Sequence, residues 1–98
     1  MAKGYWIVHV DIIDPEKFKA YASATPVALK KYGAQFLARA GQYQNPEGAT
    51  KTRNSIIEFP SYQAAIDCYY SEEYQAAAKL RLSAVTIDVV IVEGVDAS

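Results

Sequence analysis

Ninety-eight residues, 51% of them hydrophobic, make one globular domain with a single core. Ten Lys and Arg stand against eleven Asp and Glu, and the basic pairs (Lys30-Lys31, Lys79 and Arg81) are small and scattered. That balance speaks against nucleic acid as a partner, because such binders carry a clustered basic excess.

A single cysteine, Cys68, permits no intramolecular disulfide and no multi-cysteine metal site, which favours a reducing compartment. One histidine among scattered carboxylates has no metal-ligand spacing, so no metal is expected. No glycine-rich phosphate loop is present, and no cofactor is expected. No apolar run approaches the roughly 20 residues that cross a bilayer. The first residues, MAKGYWIVHVD, alternate like a strand and lack a small-residue cleavage site. The expectation is a cytoplasmic chain with neither leader nor anchor and no membrane contact.

Gly4 to Ile12, GYWIVHVDI, reads as the central strand of a small sheet. Trp6, Val8, Val10 and Ile12 fall on one face, and Tyr5, Ile7, His9 and Asp11 on the other. Asp14-Pro15-Glu16 then starts a helix, with Asp as cap, Pro at the first helical position and an acid suited to the helix dipole. Phe18, Tyr21, Ala22, Thr25, Ala28, Leu29 and Tyr32 form its apolar stripe. Pro26 should kink it or restart it with Thr25 as a new cap, and Gly33 should stop it. Residues 34–44 form a second strand, with Phe36, Ala38 and Ala40 on one face and Gln35, Leu37, Arg39 and Gly41 on the other; Gly41 suggests a bulge.

Asn45-Pro46-Glu47-Gly48 is a turn, and the loop runs to about Lys51. Thr52 to Phe59 alternates Ser55, Ile57 and Phe59 against Asn54, Ile56 and Glu58. Pro60-Ser61 caps a helix with Tyr62, Ala65, Ile66 and Tyr69 as its stripe. Ser71 caps again, giving a short third helix from about Glu72 to Ala84 whose inner face includes Tyr74, Ala77, Ala78 and Arg81. Ile87 to Val92 is the last strand.

The order β-α-β-β-α(α)-β, with two right-handed crossovers, gives a four-stranded antiparallel sheet in the order 4-1-3-2. This is the ferredoxin-like plait of the α+β class, with all helices on one sheet face. The uncovered face would carry Tyr5, Ile7, Leu37 and Ile56, with Val89 and Ile91 as further candidates. An exposed apolar patch of that size marks an interface. A second copy packing sheet against sheet about a two-fold axis, a homodimer, is the simplest solution.

The segments GYWIV-x-V-x-I-x-DPE-x-F, KYGAQFL-x-R-x-G at 31–41, IIEFPS-x-x-AA at 56–65, Y-x-SEEYQ at 69–75 and VVIVEG at 89–94 together resemble the family of domains of unknown function numbered thirteen-thirty. The resemblance runs over essentially the whole chain. That family is similar to the dimeric α+β-barrel proteins, in which two ferredoxin-like sheets face each other around a pocket. Relatives include cofactor-independent quinone-forming monooxygenases, muconolactone isomerases, haem degraders and small stress-response domains. The resemblance implies the fold and the dimer; it supplies no agreed reaction and no catalytic residues.

On the expected faces, the enclosed side holds Tyr5, His9 and Asp11 with Arg39, Asn54 and Glu58, and Glu93 joins Tyr5 at its end. Tyr5 should lie near Glu58, and Asp11 near Asn54. His9 could move a proton near neutral pH, Arg39 could hold a carboxylate or enolate oxygen, and Glu58 could orient His9 or act as base. Tyr5, Asp11, Asn54 and Glu93 would then contact a small anionic or aromatic ligand. That set suits cofactor-free isomerisation or oxygenation beginning with proton transfer beside a carbonyl. A second reading leaves Arg39 and Glu58 as a structural ion pair and His9 as a hydrogen-bonded core residue, in a binding or stress-response module or a purely structural dimer. Cys68 reads as a small buried residue.

Overall fold

The structure, a computed structural model, describes residues 2–96. The chain runs β1 (Gly4–Ile12), α1 (Pro15–Lys31), β2 (Gln35–Arg39), β3 (Arg53–Phe59), α2 (Tyr62–Tyr69), α3 (Glu72–Lys79), β4 (Val85–Glu93). The sheet order is β2-β3-β1-β4, with every neighbouring pair antiparallel. This is the ferredoxin-like plait expected from the sequence, with β1 central.

Three capped helix starts follow their sequence signals. Asp14 Oδ1 accepts from the amides of Glu16 and Lys17, and Pro15 occupies the first helical position. Ser61 and Ser71 Oγ accept from Ala64 and Tyr74 N–H respectively. Pro26 neither breaks α1 nor restarts it. The helix is continuous from Pro15 to Lys31, and the Thr25 hydroxyl donates back to the Tyr21 carbonyl at 2.7 Å instead of capping a new turn. The third helix is shorter than expected and stops at Lys79. Leu80, Arg81 and Leu82 close onto carbonyls three residues back, and Ser83, at φ 65, reverses the chain.

The core lies between the sheet and the helices. Trp6, Ile57 and Phe59 from the sheet meet Ala28 and Leu29 of α1, Ala65 and Cys68 of α2, and Tyr74 of α3. Trp6 is its centre: its ring sits 5.0 Å from Phe59, 4.9 Å from Tyr74 and 5.8 Å from Tyr69, and its Nε1–H donates to the Ala65 carbonyl at 2.9 Å. Gly4 is required where β1 passes under the start of α2, since a Cβ there would lie 2.4 Å from the Ser61 oxygen.

The last strand is longer than its sequence signal and pairs with β1 along its whole length. Val90 faces across to Ile7 and Val92 to Tyr5, so these two, and not Val89 and Ile91, join the uncovered face; Val89 and Ile91 pack on the core. The second strand ends early. Ala40, at φ 52, makes the last bond to β3, donating to the Asn54 carbonyl at 3.0 Å, and residues 41–50 run exposed. The bulge falls at Phe36–Ala38 and not at Gly41: Phe36 pairs with Ile57 and Ala38 with Ile56, so one extra residue, Leu37, is fitted into β2.

Candidate functional site

That bulge decides where Arg39 points. In regular alternation Phe36 and Arg39 would face opposite sides of the sheet. With Leu37 taking up the extra place, Arg39 pairs with Ser55 on the helix-covered face, and its guanidinium lies 4.4 Å from the Phe36 ring centre. Arg39 is therefore not beside His9. The expected constellation of His9, Arg39 and Glu58 is divided between two sides of the sheet.

On the helix-covered side, between α1 and β2, β3 and β1, lies a cavity of about 90 Å³. Trp6, Ile57 and Tyr74, all buried, make its inner end. Phe18 and Phe36 flank the other end, where Arg53 is half-buried and Arg39 exposed. Arg53 stacks over Phe18 at 5.1 Å as Arg39 does over Phe36. Neither arginine has a carboxylate partner among the described residues, whereas Lys3, Lys19, Lys31 and Lys51 all do. No Asp, Glu or His lines the cavity.

The polar groups in its wall are Ser55, Thr25 and a tyrosine pair. The Tyr21 and Tyr74 hydroxyls are 2.8 Å apart, and burial first, then Tyr21, pushes the Tyr74 phenol well up. Arg81 stacks on Tyr21 at 5.2 Å with its Nε buried and without a hydrogen-bond partner among the described residues.

The open face carries the remaining candidates in two groups. At one end the Tyr5 hydroxyl donates to Glu58 Oε2 at 3.1 Å, as the register Tyr5–Glu58 requires. Gln35 donates to the other Glu58 oxygen at 3.0 Å, and Lys3 lies 4.0 Å away. Burial first, then the Glu58 carboxylate, raises the Tyr5 phenol. Glu58 is thus engaged four residues along the sheet from His9 and does not orient it. Glu93 pairs with Gly4, on the helix-covered side, and so does not join Tyr5; the strand parity that moves Val90 and Val92 outward moves Glu93 inward.

At the other end His9, Asp11, Thr50, Lys51 and Asp88 border a recess of about 250 Å³. His9 Nδ1 sits 2.5 Å from Asn54 Oδ1; that oxygen can only accept, so Nδ1 carries the proton. Three consecutive residues tie the loop to three strands: Thr50 donates to Asn54, Lys51 pairs with Asp88, and Thr52 donates twice to Asp11. Those two bonds from Thr52 hold the Asp11 carboxyl below its usual range. Asn54 stands opposite His9, and Asp11 reaches Thr52, two residues along β3's edge from Asn54. Cys68 is fully buried, and desolvation pushes its thiol up to about 12.

Arg53, Phe18 and the Tyr21–Tyr74 pair are the residues that sequence reasoning passed over. Arg53 shares strand parity with Ser55, Ile57 and Val10, so its face was legible. The tyrosines and Phe18 lay on stripes read only as packing.

Fold and site together define a ferredoxin-like α+β protein with an aromatic, arginine-mouthed cavity between its first helix and its sheet. The chain belongs to the family described as domain of unknown function DUF1330, whose model matches residues 3–95. A protein of unknown function from Rhodopseudomonas palustris is similar over 97% of this chain and 84% of its own, with a TM-score of 0.74 and 16% identity. SnoaB, a cofactor-independent oxygenase from Streptomyces nogalater, is similar over 98% and 96%, with a TM-score of 0.64 and 7% identity. A dimeric protein of unknown function and ferredoxin-like fold from Bacteroides fragilis is similar over 93% and 95%, at 0.54 and 15%. At these identities the likeness is one of fold. Comparison with curated proteins gave no match. No helix among the described residues is long and apolar enough to cross a membrane.

Proposed function

We propose that this protein binds a small amphipathic anion, with its ring in the cavity between α1 and the sheet and its acid group on Arg39 and Arg53. The observation that carries this is a pair of arginines, without carboxylate partners among the described residues, at the mouth of a mostly apolar, aromatic-lined cavity. An engineered apolar cavity of roughly 150 Å³ accepts benzene, so about 90 Å³ open at one end takes at most a single ring. Polar substituents then stay at the mouth, where guanidinium edges receive a carboxylate in paired hydrogen bonds.

Cofactor-free isomerisation or oxygenation would start by removing a proton from such a ligand, and SnoaB, of similar fold, is a cofactor-independent oxygenase. Arg39 and Arg53 suit an enolate or phenolate oxygen. With no Asp, Glu or His among the lining residues, however, the cavity supports binding better than turnover. The exposed open-face residues Leu37, Ile56, Val90 and Val92 support a homodimer through that face.

Benzoate is the first probe. It should raise the melting temperature in proportion to ln(1 + [L]/Kd), benzyl alcohol should do so far less, and the double variant Arg39→Gln/Arg53→Gln should lose the response to benzoate. No response in the parent, or an equal one in the double variant, refutes the proposal. One observation favours a second reading, in which His9, with Asn54 and Asp11, is a proton-transfer site on the open face: Nδ1–H is donated to Asn54, which leaves Nε2 of the neutral ring as an acceptor. Turnover of any carbonyl compound that survives the double arginine variant and is lost in His9→Ala would establish it.

A further inference from the structure

The two arginines say more about the ligand than that it is an anion. Arg39 pairs with Ser55, and Arg53 stands two residues from Ser55 on the same face of β3. Diagonal neighbours on adjacent strands have Cβ atoms about 7–8 Å apart, so the two long side chains reach the same opening. Like charges at that spacing repel, and a fold usually offsets the repulsion with an acid. Here no acid lines the cavity, although the chain as a whole holds more acids than bases, eleven against ten. Glu16, Glu58, Glu73 and Asp88 pair with lysines elsewhere.

The stacks also orient the charges. Arg39 lies on Phe36 and Arg53 on Phe18, at 4.4 and 5.1 Å. A stacked guanidinium presents its N–H edges sideways, ready for paired acceptors, and each edge can serve one carboxylate. The mouth is therefore built as two adjacent oxyanion receptors over a slot for one ring.

We infer that the ligand class is a single planar ring bearing two negatively charged groups on the same side, as in an aromatic dicarboxylate, each group held by one of the two arginines. This rests on the reading of the cavity given above and names its ligand class. Calorimetric titration with benzoate, isophthalate and terephthalate tests it. Isophthalate can place both carboxylates at the mouth; terephthalate must bury one against Trp6 and Tyr74.

Isophthalate should bind roughly tenfold more tightly than benzoate at low salt, an advantage that shrinks as salt is added. Terephthalate should bind no more tightly than benzoate. Arg39→Gln and Arg53→Gln should each remove the isophthalate advantage, and Arg39→Lys should keep part of it; matched melting curves without ligand confirm folding. Benzoate binding with no isophthalate advantage overturns this inference and leaves the cavity reading standing. An advantage that persists in both glutamine variants overturns it too. Failure of all three acids overturns both.

Discussion

Deleting Leu37 should leave Arg39 where it is. A one-residue deletion inside a strand ordinarily turns every following side chain to the other face. Here Leu37 is the surplus residue of a bulge, and its removal makes Phe36–Ile57, Ala38–Ile56 and Arg39–Ser55 three successive regular pairs. Phe36 and Arg39 become alternate residues on one face, so the cation–π contact can persist. The cost is small. Leu37 is 54% exposed, so losing the half-hidden side chain forfeits about 1 kcal/mol, a fall in melting temperature of about 4–8 °C for a domain of this size. Deleting Ile56 from regular β3 is the contrast: it turns Ser55 and Arg53 out of the cavity and should abolish ligand binding or folding. The assay is a thermal melt of each deletion without ligand, with benzoate and with isophthalate. A folded Leu37 deletion that loses the isophthalate advantage over benzoate as completely as Arg39→Gln would show that the twist of the bulge aims Arg39, and would refute the parity reasoning.

Trp6→Phe should cost about 2–4 kcal/mol, read as a lower urea midpoint, because it leaves the buried Ala65 carbonyl without its donor and opens space among Phe59, Tyr69 and Tyr74. Cys68, buried with its thiol pushed up to about 12, should resist iodoacetamide at neutral pH in the folded chain and react fully in urea, as mass spectrometry would show; rapid labelling of the native protein would contradict its placement. Asp11 and Glu73 both titrate below the usual carboxylate range, held by Thr52 and Lys31 respectively. Their contribution is present above the unfolded value near 4 and is lost as pH falls below it. Asp11→Asn should therefore flatten the fall in urea midpoint between about pH 5 and pH 3, and an unchanged acid limb would count against the Thr52 bonds.

Most of the fold was legible because its signals are local. Asp14-Pro15, Pro60-Ser61 and Ser71 each mark a helix start by chemistry confined to a few residues. Strand alternation in β1 and β3 placed Trp6, Val8, Ser55 and Ile57 on their true faces, since a regular strand has a period of two throughout. The errors arose where parity passes through an irregularity. In β2 the surplus residue lies in QFLAR, which has no glycine or proline to announce a bulge, so counting from Phe36 put Arg39 on the wrong side. Misplacing that one residue moved the candidate site from one face of the sheet to the other. In β4 every residue from Val89 to Val92 is apolar, so the pattern itself cannot say which pair faces outward; only its register against β1 does. Arg81 and the Tyr21–Tyr74 pair were hidden for a different reason: their roles depend on how α1 and the turn after α3 meet, and no short window of sequence contains that contact.

The strand β1 separates two sites that a reading by residue type would merge. Trp6, Val8 and Val10 form a wall of the cavity, while His9 and Asp11 border the recess behind it. The cavity is bounded by α1, α3 and three strands of one chain, so it is complete in a single copy. The recess lies on the face that a second copy would cover, and its polar groups are already tied to the loop residues Thr50, Lys51 and Thr52. The arginine cavity and the open face therefore lie on opposite sides of the sheet. The titratable residues that chemistry would ordinarily favour, His9 and Glu58, lie on the open face, and the cavity on the other side of the sheet is lined by arginines and phenols in their place.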